Sequence, residues 1–301
     1  MRKLTKCLTC GGSSLRLLYA STYNGTVAEA HEYFLANRKA SAHGEISRCQ
    51  DCGFVFTSAQ FDEMQYDEIY ARIHTAARGG SPNREAEEAA SRLRFARLKT
   101  VIARYADLSC PFLDFGCGSG AFLTEVASPT ATGFEVGAPA VRPGPHGSRL
   151  LSGCWRDVAG SNELPWSSQH SVMAFDVFEH LPRLEPDVEL IRRVLRPNGH
   201  MFVTVPNVDS FIARLSGSRW NMLLLEHLWY FSARTLDRFL GERGFTPLAN
   251  RSVPYDATVR HISKRLEESL KLRLPRLPRH IGEIVIPAPA GVLLAIYRRE
   301  P

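Results

Sequence analysis

The sequence predicts an α/β protein in which a doubly wound parallel sheet follows a small cysteine-bearing domain. Three observations carry this. Apolar strand-like runs alternate with helical stripes from about residue 107 onward, a glycine-rich turn joins the first of those strands to a helix, and two CxxC pairs bracket the first 58 residues. At 301 residues the chain has room for two domains, or one with appendages, and enough apolar surface for a sizeable core. That excludes a disordered or collagen-like chain.

Residues 1–58 open with CLTCGG and close with CQDCGFVF, with Tyr, Phe and His between and no long helical stripe. Residues 59–106 read as a helical connector: Leu93, Ala96, Val101 and Tyr105 recur among charges, and Ser81 with Pro82 marks a helix start. Residues 107–250 give PFLDFGCGSG, a helical AFLTEVAS, ATGFEVG, SVMAFDVFEH, a helix near 187–195, an RPNG turn, HMFVTVPN, and a helix at 232–243 stopped by Gly244. The proline-rich 137–147 stretch breaks the pattern and reads as a loop or truncated helix. Residues 251–301 form a basic tail, with a helix that puts Val259, Ile262, Leu266 and Leu270 on one face and GVLLAIYRR as a final strand.

Cys7, Cys10, Cys49 and Cys52 form CxxC-x38-CxxC, each pair followed by glycine, Gly11 or Gly53. Two intervening residues let both thiolates reach one ion, and the glycine permits the tight turn that aims backbone amides at the sulfurs. Four thiolates complete a tetrahedral shell with no position left for water, so the expected metal is a structural zinc in a zinc ribbon. Unliganded cysteines and a redox CxxC are the competing readings. Cys110, Cys117 and Cys154 lack partners at ligand spacing and are expected to be small buried residues. With no apolar segment at the start and no 18-residue apolar run, a reducing, cytoplasmic setting is expected.

PFLDFGCGSG runs an apolar strand into Gly116, Gly118 and Gly120, where the backbone can approach a ligand closely. Gly116-x-Gly118-x-x-Ala121 also satisfies a dinucleotide fingerprint, with Glu135 placed 19 residues on to hold a ribose, so an NAD(P)-dependent oxidoreductase stands as an alternative. Asp114 separates the two readings. At the strand end its carboxylate would repel a pyrophosphate and attract a sulfonium or ammonium, as in S-adenosyl-L-methionine. A turn-forming Asp114 and an exposed Glu135 are the plainer explanations of these acids.

LDFGCGSG, GFEV, SVMAFDVFEHL, LRPNGHMFVTVPN and EHLWYFSARTLDRFLGERGF together resemble the successive motifs of class I S-adenosylmethionine-dependent methyltransferases, which have a Rossmann-like sheet. Two CxxCG knuckles ahead of such a domain resemble, more narrowly, the zinc-ribbon methyltransferases of sugar and surface-polysaccharide biosynthesis. The resemblance implies that Asp114 and the turn Gly116 to Gly120, with Cys117 and Gly118, line the methionine part of the cofactor, that Glu135 takes the ribose hydroxyls, and that Phe115 and Asp176 complete the cofactor set. Phe134 and Val136 would flank the ribose or adenine. The family's adenine-contacting acid has no match before Leu164-Pro165-Trp166: position 160 is glycine, and Asp157 or Asn162 are imperfect substitutes.

Methyl transfer to a hydroxyl or a carbon acid needs a base beside an aligned acceptor. His180, after the FDVFEHL strand, is the first candidate, with Glu179 orienting it or binding the acceptor, and His227 is the second. Trp220, Trp229, Tyr230 and Phe231 around His227 would form a wall or lid, or else core. Net charge is 37 − 31 = +6, and residues 251–301 alone carry ten Lys/Arg against five Asp/Glu. That tail favours a small-molecule or glycan acceptor of anionic character, such as a nucleotide sugar, over nucleic acid. Peripheral membrane contact is weaker, because Pro275 and Pro278 interrupt any long surface helix. A non-catalytic zinc-ribbon binding module with a degenerate methyltransferase domain is the remaining alternative.

Overall fold

The computed structural model describes residues 2–34, 42–75, 84–136, 142–270, 273, 275 and 277–301. In chain order the front of the molecule comprises β1 (Arg2–Lys3), β2 (Leu15–Tyr19), the one-turn helix α1 (Val27–Ala30), β3 (Ile46–Cys49), β4 (Val55–Thr57), β5 (Ala59–Gln60), α2 (Glu63–Thr75) and α3 (Arg84–Ile102). The alternating part continues with β6 (Phe112–Phe115), α4 (Ala121–Val126), β7 (Ala131–Glu135), β8 (Arg142–Pro143), β9 (Arg149–Ser152), α5 (Trp155–Val158), β10 (Gln169–Phe175), α6 (Leu184–Val194) and β11 (Leu195–Pro206). The remainder is α7 (Phe211–Ser216), β12 (Trp229–Tyr230), α8 (Ala233–Gly241), β13 (Phe245–Thr258), α9 (Val259–Leu270), α10 (Arg279–Gly282) and β14 (Val285–Arg299).

The large sheet has eight strands in the order β13-β14-β11-β10-β6-β7-β9-β8. Strands β9, β7, β6, β10 and β11 run parallel, β14 is antiparallel to both of its neighbours, and β8 is antiparallel to β9. This is the expected α/β doubly wound, Rossmann-like sheet. All four residues of β6 are buried, as are Val172 to Phe175 of β10 and Met201 to Pro206 of β11, because helices cover both faces of a parallel sheet. Chain order reverses direction between β6 and β10, and ligands bind at such a switch point, beyond the carboxyl ends of the strands.

Several boundaries differ from expectation. The RPNG turn survives as a bulge inside β11: Gln169 pairs with Leu195 but Ser171 with His200, so residues 196–199 loop out, with Asn198 at φ 60°. A domain boundary at 250 would cut β13, which runs unbroken in secondary structure from Phe245 to Thr258. The final strand is longer than GVLLAIYRR, starting at Val285. The expected helix start at Ser81 and Pro82, and residues 137–141 of the proline-rich stretch, lie outside the described residues. The rest of that stretch forms the short edge strand β8 and a turn at Pro145–Gly147. On α3 the core face is set by Leu98 and Ile102, while Leu93 is 46% exposed, so the expected stripe is rotated by about one residue. α8 begins as its sequence suggests, with Ser232 as N-cap in a box with Thr235 and with Gly244 at φ 76° beyond its end.

The small sheet has the order β12-β4-β3-β2, so the strand Trp229–Tyr230, from far along the chain, completes the cysteine-bearing front part. Its two faces differ by strand alternation. Phe54, Phe56 and Trp229 stack toward the core of the large sheet, with Phe54 and Trp229 centroids 6.1 Å apart and Phe231 5.0 Å from Phe54. Ile46, Val55 and Tyr230 turn the other way, against Ala213, Trp220 and Leu223. The aromatics around His227 are therefore the buried seam between the two sheets rather than a lid; the Trp229 indole donates to the Leu181 carbonyl at 2.7 Å.

Candidate functional site

A cavity of about 660 Å³ opens at the carboxyl ends of β6, β7, β9 and β10, a size suited to a small-molecule ligand. The glycine turn forms its floor. Gly116 sits at φ 78°, and a Cβ there would meet Val177 Cγ2 at 2.4 Å, so only glycine lets the turn pass beneath the loop after β10. The amides of Gly116 and Cys117 both donate to the Phe134 carbonyl, which locks the turn onto β7. From the end of β7, Glu135 accepts the Gly118 amide at 2.7 Å.

Of the sequence-predicted cofactor residues, Phe115, Gly116, Gly118, Glu135 and Asp176 line this cavity, as do Phe134 and Val136. Asp114, Cys117 and Gly120 do not. Asp114 is buried beneath the wall, and burial, then the charge of Glu135, pushes its carboxyl up to about 7. Cys117 packs its sulfur over Gly133, behind the turn, and Gly120 at φ 83° is the N-cap of α4. Asp176, itself at φ 56°, is fixed by Arg94 of α3 at 2.6 Å and by the Thr204 hydroxyl at 2.8 Å.

The wall where an adenine-contacting acid would be expected is built instead by Gly153, Cys154 and Trp155; neither Asp157 nor Asn162 reaches it. Trp155 packs edge-on to Phe115 at 4.7 Å and lies 5.0 Å from Phe134, whose ring stacks on Phe115 at 5.5 Å. Such ring pairs contribute about 0.5–1.5 kcal/mol each beyond area burial, so the three rings brace one another at this corner. Trp166 stands apart from that corner, closing over Gly160 and carrying Arg193 stacked at 3.9 Å. Cys154 is exposed, and Cys110 and Cys117 are half-buried, so none of the three is the buried residue expected.

α2 falls within the expected helical connector, but sequence reasoning missed that it lines the cavity and that Arg94 pairs with Asp176. Tyr66 and Tyr70 of α2 line the cavity, and burial, then the charges of Glu226 and Glu135, raises the Tyr70 phenol well above its ordinary value, so it keeps its proton. No local motif announces these residues. Arg94 sits on the core side of α3, where a helical stripe would be expected to be apolar.

On the opposite side of the cavity lies His180, whose Nδ1–H donates to the Glu226 carbonyl at 3.1 Å. A carbonyl only accepts, so the proton resides on Nδ1 and Nε2 is the basic nitrogen. His227 is set in the same tautomer by the Met222 carbonyl at 2.8 Å, and its ring is 4.7 Å from that of His180 at 76°. His227 and Glu179 are buried and lie off the cavity wall. Burial, then the charge of Asp176, raises the Glu179 carboxyl well above its usual range, and its Oε2 has no hydrogen-bond partner. Glu179, His180 and His227 offer ligand atoms within 4.8 Å of one another, a spacing that could hold a metal ion.

At the front of the molecule Cys7, Cys10, Cys49 and Cys52 converge, with Cys7–Cys52 and Cys10–Cys49 sulfur distances of 3.5 Å and all four sulfurs within 4.8 Å. These are not disulfides, whose sulfurs lie about 2.05 Å apart. A tetrahedral Zn–S shell of about 2.3 Å bonds puts sulfurs roughly 3.8 Å apart, so the donor set fits one zinc ion. The two knuckles match: the Gly11 amide donates to the Cys7 carbonyl and the Gly53 amide to the Cys49 carbonyl, with both glycines at positive φ. Arg234 of α8 donates to the Cys52 carbonyl at 3.1 Å and ties the second knuckle to the large domain.

Among the described residues no helix is long and apolar enough to cross a membrane. No curated protein matches the sequence. Several solved structures resemble the fold. One is the Burkholderia thailandensis 1,6-didemethyltoxoflavin-N1-methyltransferase, with bound 1,6-didemethyltoxoflavin and S-adenosylhomocysteine, at 14% identity over 84% of this chain and 99% of that one, TM-score 0.48. Others are S-adenosylmethionine-dependent methyltransferases from Thermotoga maritima, at 15% identity over 70% and 92% of the two chains, TM-score 0.44, and from Mesorhizobium loti, at 14% over 68% and 98%, TM-score 0.42. The family model described as a methyltransferase domain matches residues 84–250, more than half of the chain and the whole of the parallel sheet around the cavity, and the protein is thus a member of the S-adenosylmethionine-dependent methyltransferase family.

Proposed function

We propose that this methyltransferase moves the methyl group of S-adenosyl-L-methionine to an oxygen or carbon of a sugar, nucleotide-linked or glycan, or of a related small metabolite. The observation that carries the reading is that Glu135 and the glycine turn, on the cofactor side, share one cavity with His180 on the other. When bound, S-adenosyl-L-methionine supplies an electrophilic methyl carbon on a sulfonium, and S-adenosylhomocysteine leaves as the carbon–sulfur bond breaks.

The chain's own residues do the rest. Gly116 and Gly118 hold the methionine part against the turn, Glu135 takes ribose hydroxyls, and Phe134, Val136 and Trp155 enclose the adenine. Asp176, paired with Arg94 at 2.6 Å, completes the cofactor set from the end of β10. His180 Nε2 accepts the proton that the acceptor hydroxyl or carbon acid loses as its electron pair bonds to the methyl carbon, while the Glu226 carbonyl holds the ring. His227, behind it, and Glu179 position the ring; neither touches the cavity. The four cysteines of the front part, residues 1–58, hold a structural zinc and supply no chemistry.

The basic balance of residues 251–301 supports an anionic acceptor and a reducing compartment suits free thiols. Incubation with methyl-labelled S-adenosyl-L-methionine, a panel of nucleotide sugars and cell extract, read by mass detection, tests cofactor, activity and acceptor together. Label on a sugar is the expected result. Label on another class of metabolite overturns the acceptor, and binding of NAD without S-adenosyl-L-methionine overturns the reading as a whole.

A further inference from the structure

A second cavity, of about 350 Å³, lies on the far face of the small sheet, against the segment 217–228, and shares no lining residue with the first. Strand alternation explains its unusual chemistry. Ile46, Arg48, Val55 and Tyr230 point to one face of the small sheet, since Arg48 pairs with Val55 and Val55 with Tyr230. Three of these are apolar core residues; the fourth is a guanidinium set among them. The Arg48 Nε is buried without a hydrogen-bond partner, and so is the indole Nε1 of Trp220, a residue only 3% exposed. Both groups can only donate.

The other charges at the cavity are Arg214 and Asp209, which lie 3.6 Å from each other; among the described residues no carboxylate pairs with Arg48. Two buried donors with no acceptor, one of them cationic, on residues that line a space walled also by Tyr19, Val55 and Leu223, are destabilising unless something supplies oxygen atoms and negative charge. We infer that this cavity is a second ligand site, which takes an organic anion: a carboxylate or phosphate ester on an apolar or aromatic body, its oxygens on Arg48 and the Trp220 indole. The segment that carries Trp220 also carries Met222, whose carbonyl holds His227, so an occupant has a physical route to the methyl-transfer side. That route rests on the methyltransferase reading; the binding site does not.

The test is the ¹H–¹⁵N spectrum of the four tryptophan indoles, titrated with phenyl phosphate, benzoate and inorganic phosphate, with Trp220 assigned through Trp220→Phe. Expected is a saturable shift of the Trp220 resonance with phenyl phosphate or benzoate, at least tenfold weaker in Arg48→Gln, and weaker still or absent with inorganic phosphate. Unchanged positions of the Trp155, Trp166 and Trp229 signals in Arg48→Gln show that variant folded. If they move, Arg48→Lys, which keeps the charge and loses the planar fork, takes its place with the same tenfold criterion. No saturable shift at Trp220 with any probe, equal affinity in the arginine variant, or inorganic phosphate binding as tightly as phenyl phosphate would overturn the proposal. No methyl transfer is measured, so failure here leaves the methyltransferase reading untouched.

Discussion

The Thr57 hydroxyl donates to the His227 carbonyl oxygen at 2.9 Å, and the Thr57 amide donates to the Leu228 carbonyl at 2.8 Å. The first of these bonds spans 170 residues of sequence. Together they join the strand that leaves the second cysteine knuckle to the segment that carries the buried histidine, so the front part of the molecule is a splint for one side of the cavity. Thr57→Val keeps the volume and strands a buried carbonyl; the expected cost is about 1–2 kcal/mol in urea unfolding, with kcat reduced and both restored by Thr57→Ser. Equal unfolding midpoints for valine and threonine would show that the bond holds nothing.

Metal analysis should find one zinc per chain. Cys49→Ser should release it, and chelation should lower the melting temperature of the whole molecule rather than of a detached lobe, because β12 and Arg234 bind the knuckle region to the large domain. Full zinc content in Cys49→Ser would remove Cys49 from the ligand set.

Asp114 makes a pH prediction whose sign is fixed by its environment. Burial, then the charge of Glu135, lifts its folded pKa to about 7, above the unfolded value, so the folded state binds the extra proton between the two. Its contribution to stability is present at low pH and is lost as pH rises toward 7. Relative to Asp114→Asn, the cofactor-free wild type should lose roughly 3 kcal/mol between pH 5 and pH 8. A pH-independent difference between the two proteins would place the carboxyl at an ordinary value.

His180→Ala should lower kcat by about 10²–10⁴, the usual worth of a positioned base. His227→Ala should cost less, since that ring is off the wall, and should alter the pH profile through His180. Glu179→Gln should be tolerated, because burial, then the charge of Asp176, raises the Glu179 carboxyl well above its usual range and so favours the uncharged form that glutamine resembles. Unchanged rates in both histidine variants would remove the base assignment, and a collapse of folding in Glu179→Gln would show that the charged form is required.

Gly116→Ala should abolish cofactor binding and cost about 1–3 kcal/mol, because a Cβ meets Val177 and the backbone is at φ 78°. Calorimetry with S-adenosylhomocysteine checks it.

The parts legible in the sequence are those whose signal is local. The glycine turn, the buried strands around Asp114 and Met173, and the Ser232 cap each announce themselves within ten residues. Arg94 does not, since a guanidinium on the inner face of α3 answers to an acid at Asp176 that is remote in sequence. β12 does not either: two residues carry no alternation, and Trp229 and Tyr230 look like any apolar segment until β4 lies beside them. Neither Asp157 nor Asn162, the imperfect substitutes near the adenine-contacting position that the resemblance implies, lines the cavity, and Trp155 supplies a ring to that wall. The stripe on α3 misleads for a related reason, as Leu93 is exposed while the charged Arg94 is drawn inward.

The place of β14 between β11 and β13 sets the timing of assembly on the ribosome. The two cysteine knuckles can come together early, and the parallel strands can gather as they emerge, but among the described residues β13 pairs with no strand except β14. Until the 15 residues of β14 have cleared the exit tunnel, β11 therefore lacks the neighbour on its outer edge and β13 lacks the strand that joins it to the sheet. A nascent methyltransferase of this form is most prone to self-association in that interval, and a stop codon only a few residues before Val285 would leave every residue that lines the cavity synthesised and β11 without its antiparallel neighbour.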